Sequence, residues 1–169
     1  GLNIKANSFY AAKAQFTIGE IRQLQAEQIT LDGSDYSIKL KNRIKRIEDA
    51  VSAYTRVSNY KLIEWTVKAI YRIGETYEQF GTALFKRDRP KNLPLNKLLD
   101  LEEGIAAAIE KYLAVKALEA HEQNVNFGLQ YQYEDEWTKR SRQQLTKLPN
   151  ITAKNYVRLI EIASSTPIG

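Results

Sequence analysis

Ala14-Gln15-Phe16-Thr17-Ile18-Gly19-Glu20 and Ala69-Ile70-Tyr71-Arg72-Ile73-Gly74-Glu75 share one pattern, A-x-(F/Y)-x-I-G-E, at a numbering offset of 55. A second matched pair follows. Ile47-Glu48-Asp49-Ala50-Val51, then Tyr54 and Val57, aligns with Ile105-Ala106-Ala107-Ala108-Ile109, then Tyr112 and Val115, at an offset of 58. Two near-equal offsets predict a helix–loop–helix unit that occurs twice. A glycine inside a helix costs about 1 kcal/mol relative to alanine. Gly19 and Gly74 are therefore expected where a neighbouring helix approaches the backbone. Ala50 and Ala108 are expected to serve that contact from the second helix, with Tyr54 and Tyr112 filling the wider gap four residues on.

Outward from these segments the chain is helical in pattern. Leu40, Ile44, Ile47, Val51 and Tyr54 recur at steps of four and three, as do Ile70, Ile73, Tyr77, Phe80 and Leu84. Such spacing lays five large side chains along one stripe. A third stripe runs through Leu98, Leu101, Ile105, Ile109 and Tyr112, and a fourth through Trp137, Ser141, Leu145 and Leu148. Turn signals fall at 31–35, 58–59, 87–94, 124–128, 149–150 and 167. The expectation is an all-α chain of about six helices, over roughly 8–28, 35–57, 60–85, 96–123, 132–148 and 152–164. Ser8 and Thr152 are the expected N-caps of the first and last. Tyr156, Leu159, Ile160 and Ala163 would face inward on the last.

Composition bounds what such a bundle does. The 169 residues are 43% hydrophobic and 27% charged, a globular balance. No Cys is present and His121 is the only histidine, so thiolate chemistry and multi-histidine metal sites are excluded. No apolar run approaches the roughly 18 residues that span a membrane. The absence of Met implies that Gly1 is not a translation start, and a fragment of a longer protein is expected. His121, near the expected end of the fourth helix, is favoured there by the helix dipole. Glu102-Glu103 and Glu134-Asp135-Glu136 lie near helix starts for the same reason. No G-x-S-x-G, P-loop or G-x-G-x-x-G is present. The expectation is a chain without catalytic residues, cofactor or metal.

The two units resemble the tetratricopeptide repeat (TPR) family. Ile70, Ile73, Gly74 and Tyr77 follow the first-helix spacing of that family. Ala50-Tyr54-Val57 and Ala108-Tyr112-Val115 follow the second-helix spacing. The units depart from the family in length, since their offsets exceed the usual repeat of about 34 residues. They also carry Arg22 where an aromatic is usual, and neither second helix closes with the family's proline. The segment from Trp65 to Phe80 is similar to divergent members from bacterial cell envelopes, which implies an envelope or periplasmic setting. The resemblance implies one domain of three stacked hairpins, over about 8–57, 60–123 and 132–164, forming a short right-handed superhelix. It further implies a scaffold or adaptor that holds a protein or peptide, or neighbouring repeats of its own chain, on a concave face. Carrying the register over assigns Phe16, Glu20 and Gln23 of the first unit to that face, and Lys68, Tyr71, Glu75 and Gln79 of the second. Phe16 and Tyr71 would be apolar anchors there; the alternative is that they pack against the next hairpin. Tyr131 and Tyr133, in a polar loop, are further contact candidates.

The net charge of +5 leaves a second reading open. Basic residues cluster at 39–46, at 86–91 and at 139–142. A nucleic-acid-binding helical repeat would need these clusters to converge on one phosphate-tracking surface.

Overall fold

The computed structural model describes residues 2–33, 35–87 and 92–165, with side chains over 7–33, 35–87 and 92–150. Among these the chain is helical, without a strand. Helix α1 spans Leu2–Glu27, α2 Tyr36–Thr55 and α3 Ile63–Lys86. Helix α4, Leu95–Ile109, continues through a π-wound segment, Glu110–Ala117, into α5, Leu118–Gln130. Helix α6 spans Glu136–Ser165. Because α4, the π segment and α5 are continuous, the described chain forms five rods. The rods α1 and α2 pair as one hairpin, and α3 pairs with the α4–α5 rod as the next. Helix α6 packs on both α5 and α3. Helix α3 is thus the central element, touching every other rod.

The turns follow from local chemistry. Gly33 adopts φ +83°, a conformation that a side chain strains. Beside it, Lys39 Nζ donates to Asp32 Oδ1 at 2.8 Å. A short 3-10 turn, Arg56–Tyr60, ends α2, and Lys61 at φ +55° reverses the chain into α3. Before α6, the Tyr133 amide donates to the Gly128 carbonyl at 2.8 Å. Asp135 Oδ1 then accepts from the Trp137 and Thr138 amides, while the Asp135 amide donates to Thr138 Oγ1. That reciprocal arrangement satisfies donors that a helix start leaves open.

Several expected boundaries move. The first helix begins at Leu2, so Ser8 is inside it rather than capping it. Residues 124–128 are helical, and the turn lies at 131–135. The expected fifth and sixth helices are one rod, so 132–164 is not a hairpin. Pro149 lies inside α6. Its exposed ring faces solvent while Leu148 beside it is 2% exposed in the core. Leu148 and Ser141 on the inner side are both buried. Asn150 Nδ2 also donates back to the Thr146 carbonyl at 3.4 Å. The side chains of Thr152, Tyr156, Leu159, Ile160 and Ala163 lie outside the described residues.

The four expected stripes all face inward. Ile47, Tyr77, Phe80, Leu84, Ile105, Ile109, Tyr112 and Leu148 meet in one core; Phe16, Tyr54, Val57 and Ala69 form a second between the hairpins. Each fully buried large side chain contributes about 1.5–3 kcal/mol. The π segment serves this core. In an α-helix each step of four residues drifts about 40° around the axis, since 3.6 residues make a turn. Yet Ile105, Ile109, Leu113, Ala117 and His121, at steps of four, are all at most 1% exposed. The wider π winding turns less per residue and cancels the drift, so one column stays on α3 for its whole length.

Candidate functional site

The two repeat glycines are close-approach positions, as their pattern predicts. A Cβ built on Gly19 would lie 2.5 Å from Tyr54 Cδ1, and one on Gly74 2.5 Å from His121 Nε2. One turn beyond each glycine a polar side chain holds the tip of the same ring. The Tyr54 hydroxyl donates to Gln23 Oε1 at 2.7 Å, and His121 Nε2 lies 2.5 Å from Glu78 Oε1. Gln23 and Glu78 are related by the same offset as the glycines. The partner of Gly74 is therefore His121, not the expected Tyr112. The structural counterparts of Ala50, Tyr54 and Val57 are Ala117, His121 and Asn124, each fully buried. Expected Val115 is instead 43% exposed. The contact with α3 falls nine residues further along the second rod than the sequence match places it, which a fixed offset cannot anticipate. A third close approach, missed from sequence, sets Gly81 against Leu113.

Behind His121 the polar contacts continue. His121 Nδ1 is 3.0 Å from Ser141 Oγ, and Asn124 Nδ2 donates to the same Ser141 oxygen at 2.8 Å. Serine, histidine and glutamate in one row have the composition of a nucleophilic triad. Here Ser141 and His121 are 0% exposed, so no substrate reaches the hydroxyl. The row fastens α3, α5 and α6 together. Among the described residues no three of His, Asp and Glu converge to hold a metal ion. No helix among them is long and apolar enough to cross a membrane.

Of the seven residues assigned to the concave face, six lie where α1 and α3 meet, Tyr71 faces α5 and α6 instead, and not all are at the surface. Arg72 binds Glu20 at 3.1 Å and Glu75 at 2.6 Å. Gln23 Nε2 donates to Gln79 Oε1 at 2.9 Å. Gln79 is exposed and Glu20, Lys68 and Glu75 are half-buried. Phe16 and Tyr71, however, are 2% and 8% exposed. They have no surface to offer a partner, and the packing alternative describes them. Tyr71 lies between His121 and Trp137, with ring centroids 5.5 Å and 5.2 Å away, and burial pushes its hydroxyl pKa up. Gln23, also buried, acts through Tyr54 and Gln79. Tyr131 in the loop is exposed and Tyr133 half-buried.

The packing of Phe16 and Tyr71 reveals a repeat that the match around the two glycines only partly showed. Phe16 meets Trp65 at 5.5 Å, and Tyr71 meets Trp137 at 5.2 Å. Three residues after each tryptophan stands a cation. Lys68 Nζ lies 4.6 Å from the Phe16 ring and 5.1 Å from the Trp65 ring, and Arg140 lies 4.8 Å from the Trp137 ring. Cations over ring faces are attracted by the ring quadrupole. The next residue is small: Ala69, then Ser141. In sequence the motif is aromatic-x-x-cation-small, and it occurs three times: Tyr10-Ala11-Ala12-Lys13-Ala14, Trp65-Thr66-Val67-Lys68-Ala69 and Trp137-Thr138-Lys139-Arg140-Ser141. The interval from the second copy to the third is longer than that from the first to the second, which concealed the third copy from a search at one period.

The basic clusters are engaged within the fold only in part: Lys41, Lys45, Arg46, Lys86 and Lys139 are exposed. Lys39 pairs with Asp32 and Asp35. Arg43 is buried and donates to the Ile29 carbonyl. Arg87 pairs with Glu102, Arg140 with Glu136 and Arg142 with Glu134. Arg89 and Lys91 lie outside the described residues.

Comparison of the chain with models of known protein families, with curated proteins and with solved structures gives no match in any of the three.

Proposed function

We propose that this chain is a non-catalytic protein–protein interaction module: a scaffold of TPR-like hairpins that receives a protein or peptide along its first helices. The observation that carries the reading is the polar row formed by Glu20, Arg72 and Glu75, which Gln23 extends to Gln79. Two helices hold it in place, on a floor of buried aromatic side chains. A row whose side chains are already fixed by one another loses little rotamer freedom when a partner binds. Its carboxylates and amide accept and donate to a peptide backbone or to cationic side chains. Affinity comes from this polar row and from Lys68, rather than from aromatic anchors. The burial of Arg43 and of the Arg87 side chain, and the pairing of Lys39, Arg140 and Arg142 with carboxylates, reduce the cationic surface that the nucleic-acid reading needs.

Photo-crosslinking in the native cell tests it. A crosslinker at Gln79 is expected to trap one discrete protein, and one at exposed Arg46 on α2 to trap none. Equal products from both positions would remove the groove from consideration. A trapped species that is nucleic acid, released steeply by salt, would favour the basic-cluster reading instead.

A further inference from the structure

Helix α1 carries a second apolar face, opposite the one it buries. Tyr10, Ile18, Ile21 and Leu24 are 68%, 41%, 51% and 57% exposed, and Ala14 and Thr17 between them are exposed too. These positions follow helical spacing, so they form one stripe along the rod. Isolated apolar residues on a surface are ordinary; a contiguous stripe marks a contact.

The internal repeat says what covers it. The offset that relates the two glycines also carries Tyr10, Ala14, Thr17, Ile18 and Leu24 onto Trp65, Ala69, Arg72, Ile73 and Gln79 of α3. Each of these touches the preceding hairpin. Trp65 packs at a tilt on Phe16, and Ala69 packs with Phe16, Tyr54 and Val57. Arg72 binds Glu20, Gln79 binds Gln23, and Ile73 packs against both cores. The same face of α6 repeats the arrangement, with Trp137 on Tyr71 and Ser141 on His121 and Asn124. In two units out of three, then, this register is the seat of the hairpin before it. In the first unit the seat is present and open.

We propose that the Tyr10–Leu24 face of α1 is the docking seat of a further helical hairpin of the same repeat, joined ahead of Leu2 in the same polypeptide. That hairpin would set an aromatic of its first helix on Tyr10 and Lys13, as Phe16 sits on Trp65 and Lys68. The small residues and ring of its second helix would meet Ala14 and Ile18. A second copy of the chain is a poorer occupant. Its α1–α2 and α3–α5 hairpins already carry α3 and α6, and its α6 stands without a second helix among the described residues. The seat shares no residue with the polar row of the groove, so the two proposals stand or fall separately.

A tandem duplication tests it. Residues 8–62 are repeated within the full chain, so that Ser8 of the second copy follows Leu62 of the first as Ile63 now does. The chain has no cysteine, so Ile21→Cys gives one maleimide-reactive site. Labelling is expected to be fast in the undivided chain and in the front copy, and at least tenfold slower in the rear copy. Tyr10→Asp in the rear copy should restore the fast rate. The tandem should also melt in one transition, at a higher temperature than the parent. Equal labelling of the two copies, or loss of the helical circular dichroism of the tandem, overturns the proposal. So does a dimer of the parent chain that Ile21→Lys converts to a monomer, since the face would then belong to a second copy.

Discussion

At Gly19 and Gly74 a single hydrogen decides how close two helices lie. Alanine is the better helix former by about 1 kcal/mol. Here its methyl would enter the ring of Tyr54 or His121, each of which is pinned at its far end by Gln23 or Glu78. A pinned ring cannot swing aside, so the backbones must part, at a cost of about 1–3 kcal/mol. Gly19→Ala and Gly74→Ala are each expected to lower stability in urea despite the propensity gain. A neutral or stabilised variant would mean that the rods do not approach there. The need for glycine was legible from the repeat, because a costly residue recurred in a matched frame. Its partner was legible only in the first unit. In the second, Tyr112 had the better match in residue type, and nothing in the local pattern marks 110–117 as π-wound.

Among the elements, α6 has the clearest single dependence. Its start rests on the Asp135 carboxylate, which accepts two amides at 2.8 Å and 3.1 Å. Asp135→Ala is expected to cost about 1 kcal/mol, read as a lower urea midpoint at unchanged slope. Asp135→Asn, which keeps the acceptor, should recover most of the loss. The length of α6 was the least legible element boundary. Proline followed by asparagine is a turn signal when only neighbours are weighed. Burial of Leu148 next to it outweighs that signal, and burial of one residue is not written in its neighbours. Helices α2 and α3 were read almost to their ends, because each carries an unbroken stripe and closes at a polar turn.

Across the whole molecule, buried tyrosines tie the fold to pH. Burial raises the hydroxyl pKa of Tyr36, Tyr54, Tyr71 and Tyr77 above the ordinary value of about 10. The folded chain therefore holds protons that the unfolded chain gives up above pH 10. Stability is fully present below that pH and falls as pH rises toward the folded values. Alkaline titration followed by circular dichroism should show helix loss within this window. Tyr54→Phe should move the loss to higher pH relative to its own neutral-pH stability. Unfolding that is indifferent to pH between about 9 and 12 would contradict the burial of these groups.

The first two hairpins and their inward faces were readable at this scale from two offsets, while the expected third hairpin is the single rod α6. Of the seven residues assigned to the groove, Glu20, Gln23, Glu75 and Gln79 meet between α1 and α3, whereas Tyr71 packs on α5 and α6. Phe16 and Tyr71 have the residue types of contact anchors, and only the position of Trp65 and Trp137 shows that they are closed over. Those two indoles are the only tryptophans in the chain, and each stands at one of its two unit-to-unit joints. Lys68 lies 5.1 Å from one indole ring and 5.4 Å from the other. Intrinsic fluorescence is thus a built-in gauge of whether the joints are shut. Trp65→Phe leaves an emission spectrum that reports the second joint alone, and Trp137→Phe one that reports the first.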